Sequence, residues 1–270
     1  MDHKIEVRPG RTLHVVVDKN PESDTTIFLI HGLGGRGNQW RKQSIILKSQ
    51  YSLVIPDLLG HGKSDKPKPG KTNPYAFLEF CQDLQVLLDK FADKKNILIG
   101  HSYGGALAVY LSYTNQDILS SQVLLTPSRC QPFHDVPKIY RLPAFILALL
   151  RPFLEYSFRK YAYDKSTKNK VIDEELSAGK KNRFYVIKAM LEGMQDIPRI
   201  NISGLNTPTL IITGEADHII PTDLITKFYE KLPHHEFVHL HHAGHMVQLE
   251  QPDVVNELIM GFIDKYEMST

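Results

Sequence analysis

The chain has 270 residues, 42% hydrophobic and 23% charged, a composition that supports a sizeable core and excludes a disordered or low-complexity protein. A formal net charge of +2 gives no electrostatic case for nucleic acid or an acidic membrane surface as partner. Two cysteines, Cys81 and Cys130, stand in no CxxC or metal-like spacing, so no disulfide framework is expected and a reducing, cytoplasmic setting is.

The opening "MDHKIEVRPGR" lacks the apolar core of a signal peptide, while "IEV" and "LHVVV", joined through Pro9 and Gly10, read as an antiparallel hairpin. "TTIFLI" follows, and then "YSLVI", "NILI", "QVLLT", "TPTLIIT" and "HEFVHL", apolar runs of the kind buried on both faces of a parallel sheet. Helical patterns separate most of them. In the last, "QPDVVNELIMGFIDKY", Val254, Val255, Leu258, Ile259, Phe262 and Ile263 recur at helical spacing behind Pro252, a residue suited to the first helical position. The alternation predicts an α/β fold with a mostly parallel central sheet flanked by helices.

Between about Ser128 and Ile202 the alternation breaks into helix-like sequence rich in Lys and Arg and punctuated by Pro132, Pro137, Pro143, Pro152 and Pro198. Residues 128–202 therefore read as a helical cap inserted into a core of residues 1–127 and 203–270. Over the carboxyl ends of the strands it would act as a lid; otherwise it is a surface excursion that only packs. Its best apolar run, Pro143 to Leu150, stops at Arg151 and Pro152, short of the roughly 20 residues of a membrane span, so no integral membrane segment is expected.

Chemistry concentrates at the predicted strand ends. In "GHSYGG", after "NILI", Gly100 and Gly104 flank Ser102 by two residues on each side, which lets the backbone bend sharply between strand and helix. The turn leaves Ser102 at a helix N-terminus, where free N–H groups favour developing negative charge; the alternative is a packing turn with an idle serine. A serine nucleophile needs a base and a group to orient it. His245, in "HHAGHMVQLEQP" between the last strand and last helix, is the favoured base, with His241 and His242 as competitors. Asp217, in "LIITGEADHIIP", is the favoured acid, with Glu215 and Asp223 as competitors. In "FLIHGLGGRGNQW", residues 28 to 40, small residues allow a backbone N–H to approach a reacting carbonyl, and the stretch lacks the patterns of phosphate and dinucleotide loops. The oxyanion donors are then the N–H groups of Leu33 and Tyr103.

These stretches, with the turn "PDLLGHGKSD" at Pro56 to Asp65, resemble the α/β-hydrolase superfamily, in particular its compact members with a helical cap, over nearly the whole chain. The resemblance implies the chain order nucleophile Ser102, acid Asp217 and base His245. It makes His61 part of a structural turn and suggests His31, Gly32, Phe145 and Leu149 as pocket residues. No cofactor is implied. His239, His241 and His242 gain no converging Cys, Asp or Glu, so no metal is expected. The expected activity is a serine hydrolase acting on a small-molecule carboxylic ester, including lipid-like or monoacylglycerol esters, because Phe145, Ile146, Leu149, Phe153 and Leu154 offer an apolar patch. Thioester or carbon–carbon cleavage and cofactor-free perhydrolysis share the same triad, and a ligand receptor on the same fold is the alternative of a different class. No feature of the sequence specifies an oligomeric state.

Overall fold

The computed structural model describes residues 1–267. Eight strands form one sheet: β1 (Asp2–Arg8), β2 (Arg11–Asp18), β3 (Thr25–Ile30), β4 (Ser52–Pro56), β5 (Lys95–His101), β6 (Ser121–Leu125), β7 (Thr209–Gly214) and β8 (His235–Leu240). Their spatial order is β1-β2-β4-β3-β5-β6-β7-β8. β2 runs antiparallel to both neighbours, and every pairing from β4 to β8 is parallel. The carboxyl ends of β3 to β8 therefore lie along one edge.

The period of two in a strand explains why the central runs are apolar throughout. Phe28, Ile30, Val54, Leu98, Leu124 and Ile211 point to one face, where the helices Phe77–Phe91 and Tyr103–Thr114 bury Phe80, Leu84, Leu87, Leu107 and Leu111. Ile27, Leu29, Leu53, Ile55, Ile97, Ile99, Val123, Leu210 and Ile212 point to the other, where Leu47, Val255, Ile259, Phe262 and Ile263 cover them. The last helix, Pro252–Glu267, opens on Pro252 as expected. β8 differs from expectation: only Leu240 in it is buried, because β8 is the edge of the sheet and has a neighbour on one side only.

Between β6 and β7 the chain is helical, with helices Ala144–Leu149, Arg151–Ala162, Asn169–Gly179 and Phe184–Gly193. This segment packs on loops at the carboxyl edge. Asn182 Nδ2 donates to Gly34 O at 2.6 Å, and the N–H of His218 donates to Tyr161 O at 3.0 Å. Buried Glu175 forms an ion pair with Arg36 at 3.0 Å and accepts from Arg41 at 2.9 Å and Gln39 at 3.2 Å, joining the segment to the chain after β3. Among the described residues no helix is long and apolar enough to cross a membrane.

Candidate active site

Ser102 connects β5 directly to the helix Tyr103–Thr114, with φ 53° and ψ −119°. That left-handed φ is costly for a residue with a Cβ and persists only where its surroundings impose it. The neighbours do so. A Cβ on Gly104 would lie 2.3 Å from Ile30 O, and one on Gly100 2.4 Å from Gly104 O, so both flanking positions need glycine. From the other side Gly32 approaches so closely that a Cβ there would lie 2.9 Å from Ser102 Cβ. The Ser102 N–H donates to Leu125 O at 3.0 Å. Tyr103, the first helical residue, has no intrahelical acceptor for its N–H. Among the described residues no acceptor takes the N–H of Leu33 in the facing loop.

Asp217 and His245, 28 residues apart in sequence, meet through Asp217 Oδ2 and His245 Nδ1 at 2.7 Å. Both are buried, and Asp217 Oδ1 accepts the N–H groups of Ile219 at 2.8 Å and Ile220 at 3.0 Å. An acceptor-only carboxylate places the proton on Nδ1, which leaves Nε2 with a free lone pair. The His245 carbonyl accepts from Thr126 Oγ1 at 2.8 Å and His101 Nε2 at 2.9 Å. Since His101 precedes Ser102, the imidazole loop is tied to the turn that carries the serine.

The competing residues are exposed. His241 is exposed and bonds Glu215 at 3.0 Å, His242 is exposed at φ 55°, and Asp223 is exposed on the helix Thr222–Tyr229. His239 bonds Thr213 Oγ1 at 2.6 Å, and no three potential metal ligands converge among the described residues.

Two of the four pocket candidates lie on the helix Ala144–Leu149. Phe145 and Leu149 are 67% and 76% exposed, because Leu147 is the fully buried residue of that helix and positions two residues away lie about 200° round it. His31 is fixed within the loop. It is buried with both nitrogens engaged, Nδ1–H donating to Gly32 O at 2.8 Å and Nε2 accepting the Leu58 N–H at 2.9 Å. Gly32 abuts Ser102.

His61, placed by sequence in a structural turn, also braces the glycine-rich loop. Its Nε2 accepts the Gly34 N–H at 3.0 Å and its Nδ1–H donates to Leu59 O at 3.0 Å. Burial, with the nearby histidine as a second cause, lowers the pKa of both His61 and His101 to about 3. A depressed imidazole pKa contributes stability present above the unfolded value of 6.5 and lost as pH falls toward the folded value. Each of the two residues should steepen the decline by about 1.4 kcal/mol per pH unit between roughly pH 6 and 4. Urea unfolding at graded pH checks this: the His61→Gln variant should have the shallower slope.

Glu250 is the other residue that sequence reasoning passed over, a carboxylate inside "MVQLE". Oε1 accepts the N–H groups of Gly244 and Met246, both at 3.0 Å, which flank His245. Oε2 accepts the Asp164 N–H at 2.9 Å and the Thr167 hydroxyl at 2.6 Å, both from the helical insertion. Burial raises its pKa, against the opposing effect of these donors. The His245 N–H itself donates to Ala162 O at 2.7 Å. One side chain and one carbonyl thus join the insertion to the imidazole loop.

Comparison with known proteins agrees with this architecture. Protein ABHD8 of Mus musculus is 29% identical over 269 residues, 95% of this chain and 60% of that protein. The chain thus spans about 60% of the length of such relatives. The uncharacterized hydrolase YugF of Bacillus subtilis is 26% identical over 247 residues, 88% of this chain and 89% of that one. Among solved structures, a thermophilic esterase from Thermogutta terrifontis superposes with a TM-score of 0.83 at 22% identity, covering 98% of this chain and 99% of the other. Residues 27–258 match the model of the alpha/beta hydrolase family, and the chain belongs to that family.

Proposed function

We propose that the chain is a serine hydrolase that cleaves carboxylic esters through an acyl-enzyme on Ser102, with residues 128–202 acting as a cap over the site. The observation that carries this reading is the buried Asp217–His245 hydrogen bond of 2.7 Å, on a loop that His101 ties to Ser102. In the first step Ser102 Oγ bonds to the ester carbon while its proton passes to His245 Nε2. Asp217 holds the imidazole and stabilises its cation. The carbonyl oxygen gains the negative charge, and the N–H groups of Leu33 and Tyr103 are the donors proposed to stabilise it. Collapse breaks the bond to the alcohol, which leaves with the proton from His245. Water then repeats the sequence on the acyl-enzyme, giving up its proton to His245 and releasing the acid. A serine at the elbow supports acyl transfer over epoxide opening or halide displacement, since family members with those activities carry aspartate there.

A fluorophosphonate probe should label the folded chain on Ser102, read by intact mass and peptide mapping. A panel of p-nitrophenyl esters and matched thioesters, graded by chain length, should then give turnover that is fastest on oxygen esters. Absence of labelling would sink the reading, and thioester preference would change the substrate class.

A further inference from the structure

The helical insertion carries a set of apolar side chains left exposed among the described residues. Phe145 and Leu149 on the helix Ala144–Leu149, Phe153 and Tyr156 on the helix Arg151–Ala162, and Leu142 two residues before the first helix are all exposed. The spacings of four and of three keep each helix's pair on one side of that helix. Exposed apolar residues are ordinary when scattered, but a contiguous set marks a contact surface.

The charges around the stripe decide what it contacts. Exposed Lys138 and Arg141 precede it, and Lys188 reaches its first member, donating to Leu142 O at 2.7 Å. Exposed Lys160 stands one turn beyond Tyr156. From residue 138 to 162 the only acid is Glu155, half-buried and paired with Arg151 at 3.8 Å; exposed Asp135 lies just before Lys138. Residues 128–202 as a whole hold 14 Lys and Arg against 8 Asp and Glu. With the full chain at +2, the remainder is net −4. The near-neutral total, which argued against an acidic membrane surface, therefore conceals a basic insertion on an acidic body.

We propose that this face docks on an anionic phospholipid bilayer. The stripe would enter the boundary between headgroups and acyl chains, and Lys138, Arg141, Lys160 and Lys188 would meet headgroup phosphates. Helices of 6 and 12 residues are too short to span but suit a position in the interface plane. Basic side chains at its rim fit the negative potential of such a surface, and the acidic body favours the orientation with the insertion toward lipid. A second copy of the chain would set two basic rims against each other, which costs affinity. A nucleic acid offers phosphates but no apolar phase for Leu149 and Phe153. The proposal is independent of the reaction assigned to Ser102.

Sedimentation of the full chain with sucrose-loaded vesicles tests it, using phosphatidylcholine alone or with about 30 mol% phosphatidylserine. Binding to the anionic vesicles should exceed binding to the neutral ones by about tenfold or more and weaken as salt rises. The triple variant F145S, L149S and F153S should lose at least about tenfold in anionic-vesicle binding while keeping its melting temperature. The pair R141E and K160E should lose the difference between the two vesicle types. In Phe153→Trp, the new indole should shift its emission to the blue on anionic vesicles, while Trp40, fully buried, stays constant. Three results would overturn the proposal: no binding to anionic vesicles, binding that the triple variant retains, or light scattering that reveals a dimer broken by the triple variant without any vesicle binding.

Discussion

Replacing Ser102 with alanine is expected to lower kcat/KM for p-nitrophenyl acetate by roughly 10⁴ to 10⁶, the range for loss of an activated nucleophile. The fold should survive. Among the described residues the Ser102 side chain makes no capping hydrogen bond, and the contacts imposing its φ of 53° belong to Gly32, Gly100 and Gly104. Circular dichroism and melting temperature should match the parent, so that lost activity reports chemistry. The double variant Ser102→Ala with His245→Ala should be no slower than the single one, because groups that act as a unit do not lose their effects additively. Residual activity of Ser102→Ala within about tenfold of the parent would place the nucleophile elsewhere.

Glu250→Ala is expected to produce a large loss of stability. It leaves the N–H groups of Gly244, Met246 and Asp164 and the Thr167 hydroxyl without their acceptor. A buried donor left unpaired costs about 1–3 kcal/mol; Gly244 and Met246 are buried while Asp164 and Thr167 are half-buried and recover water, so a net loss of about 2–4 kcal/mol is expected in urea unfolding. Hydrogen exchange separates this from general destabilisation. The amides of Gly244 and Met246 should exchange faster together with that of Asp164, although the insertion lies more than 80 residues away in sequence. Glu250→Gln, which keeps one acceptor oxygen, should fall between the two. A loss below about 1 kcal/mol with unchanged exchange at these amides would show that the carboxylate carries no load.

Much of the architecture is legible in the sequence because it rests on local physics. Buried central strands must be apolar on both faces, a sharp strand-to-helix turn needs glycine beside it, and Pro252 suits only a helix start. Asp217 and His245 stand out because each lies in a loop that follows a predicted strand end. What is not legible depends on convergence across long sequence separation. Glu250 looks like one more surface acid until Asp164 and Thr167 arrive from the insertion. His61 gives no sign that its acceptor nitrogen faces Gly34. The apolar residues of "AFILALLRPFLEY" satisfy a helical pattern in either direction, and only the seating of Leu147 decides that Phe145 and Leu149 turn outward. Net charge fails in the same way, since a sum over the chain erases the opposition between insertion and body.

The hydrogen bond from the His245 amide to Ala162, with the grip of Glu250 on Asp164 and Thr167, bears on how this fold can be re-engineered. A chimera that exchanged the insertion at its obvious boundaries beside β6 and β7 would also remove the carbonyl and the two donors that stand behind the imidazole. Graft junctions that respect the molecule would fall inside the insertion, leaving Tyr161 to Thr167 with the body. In modular terms, that seven-residue stretch belongs to the sheet it serves and not to the helices among which it is encoded.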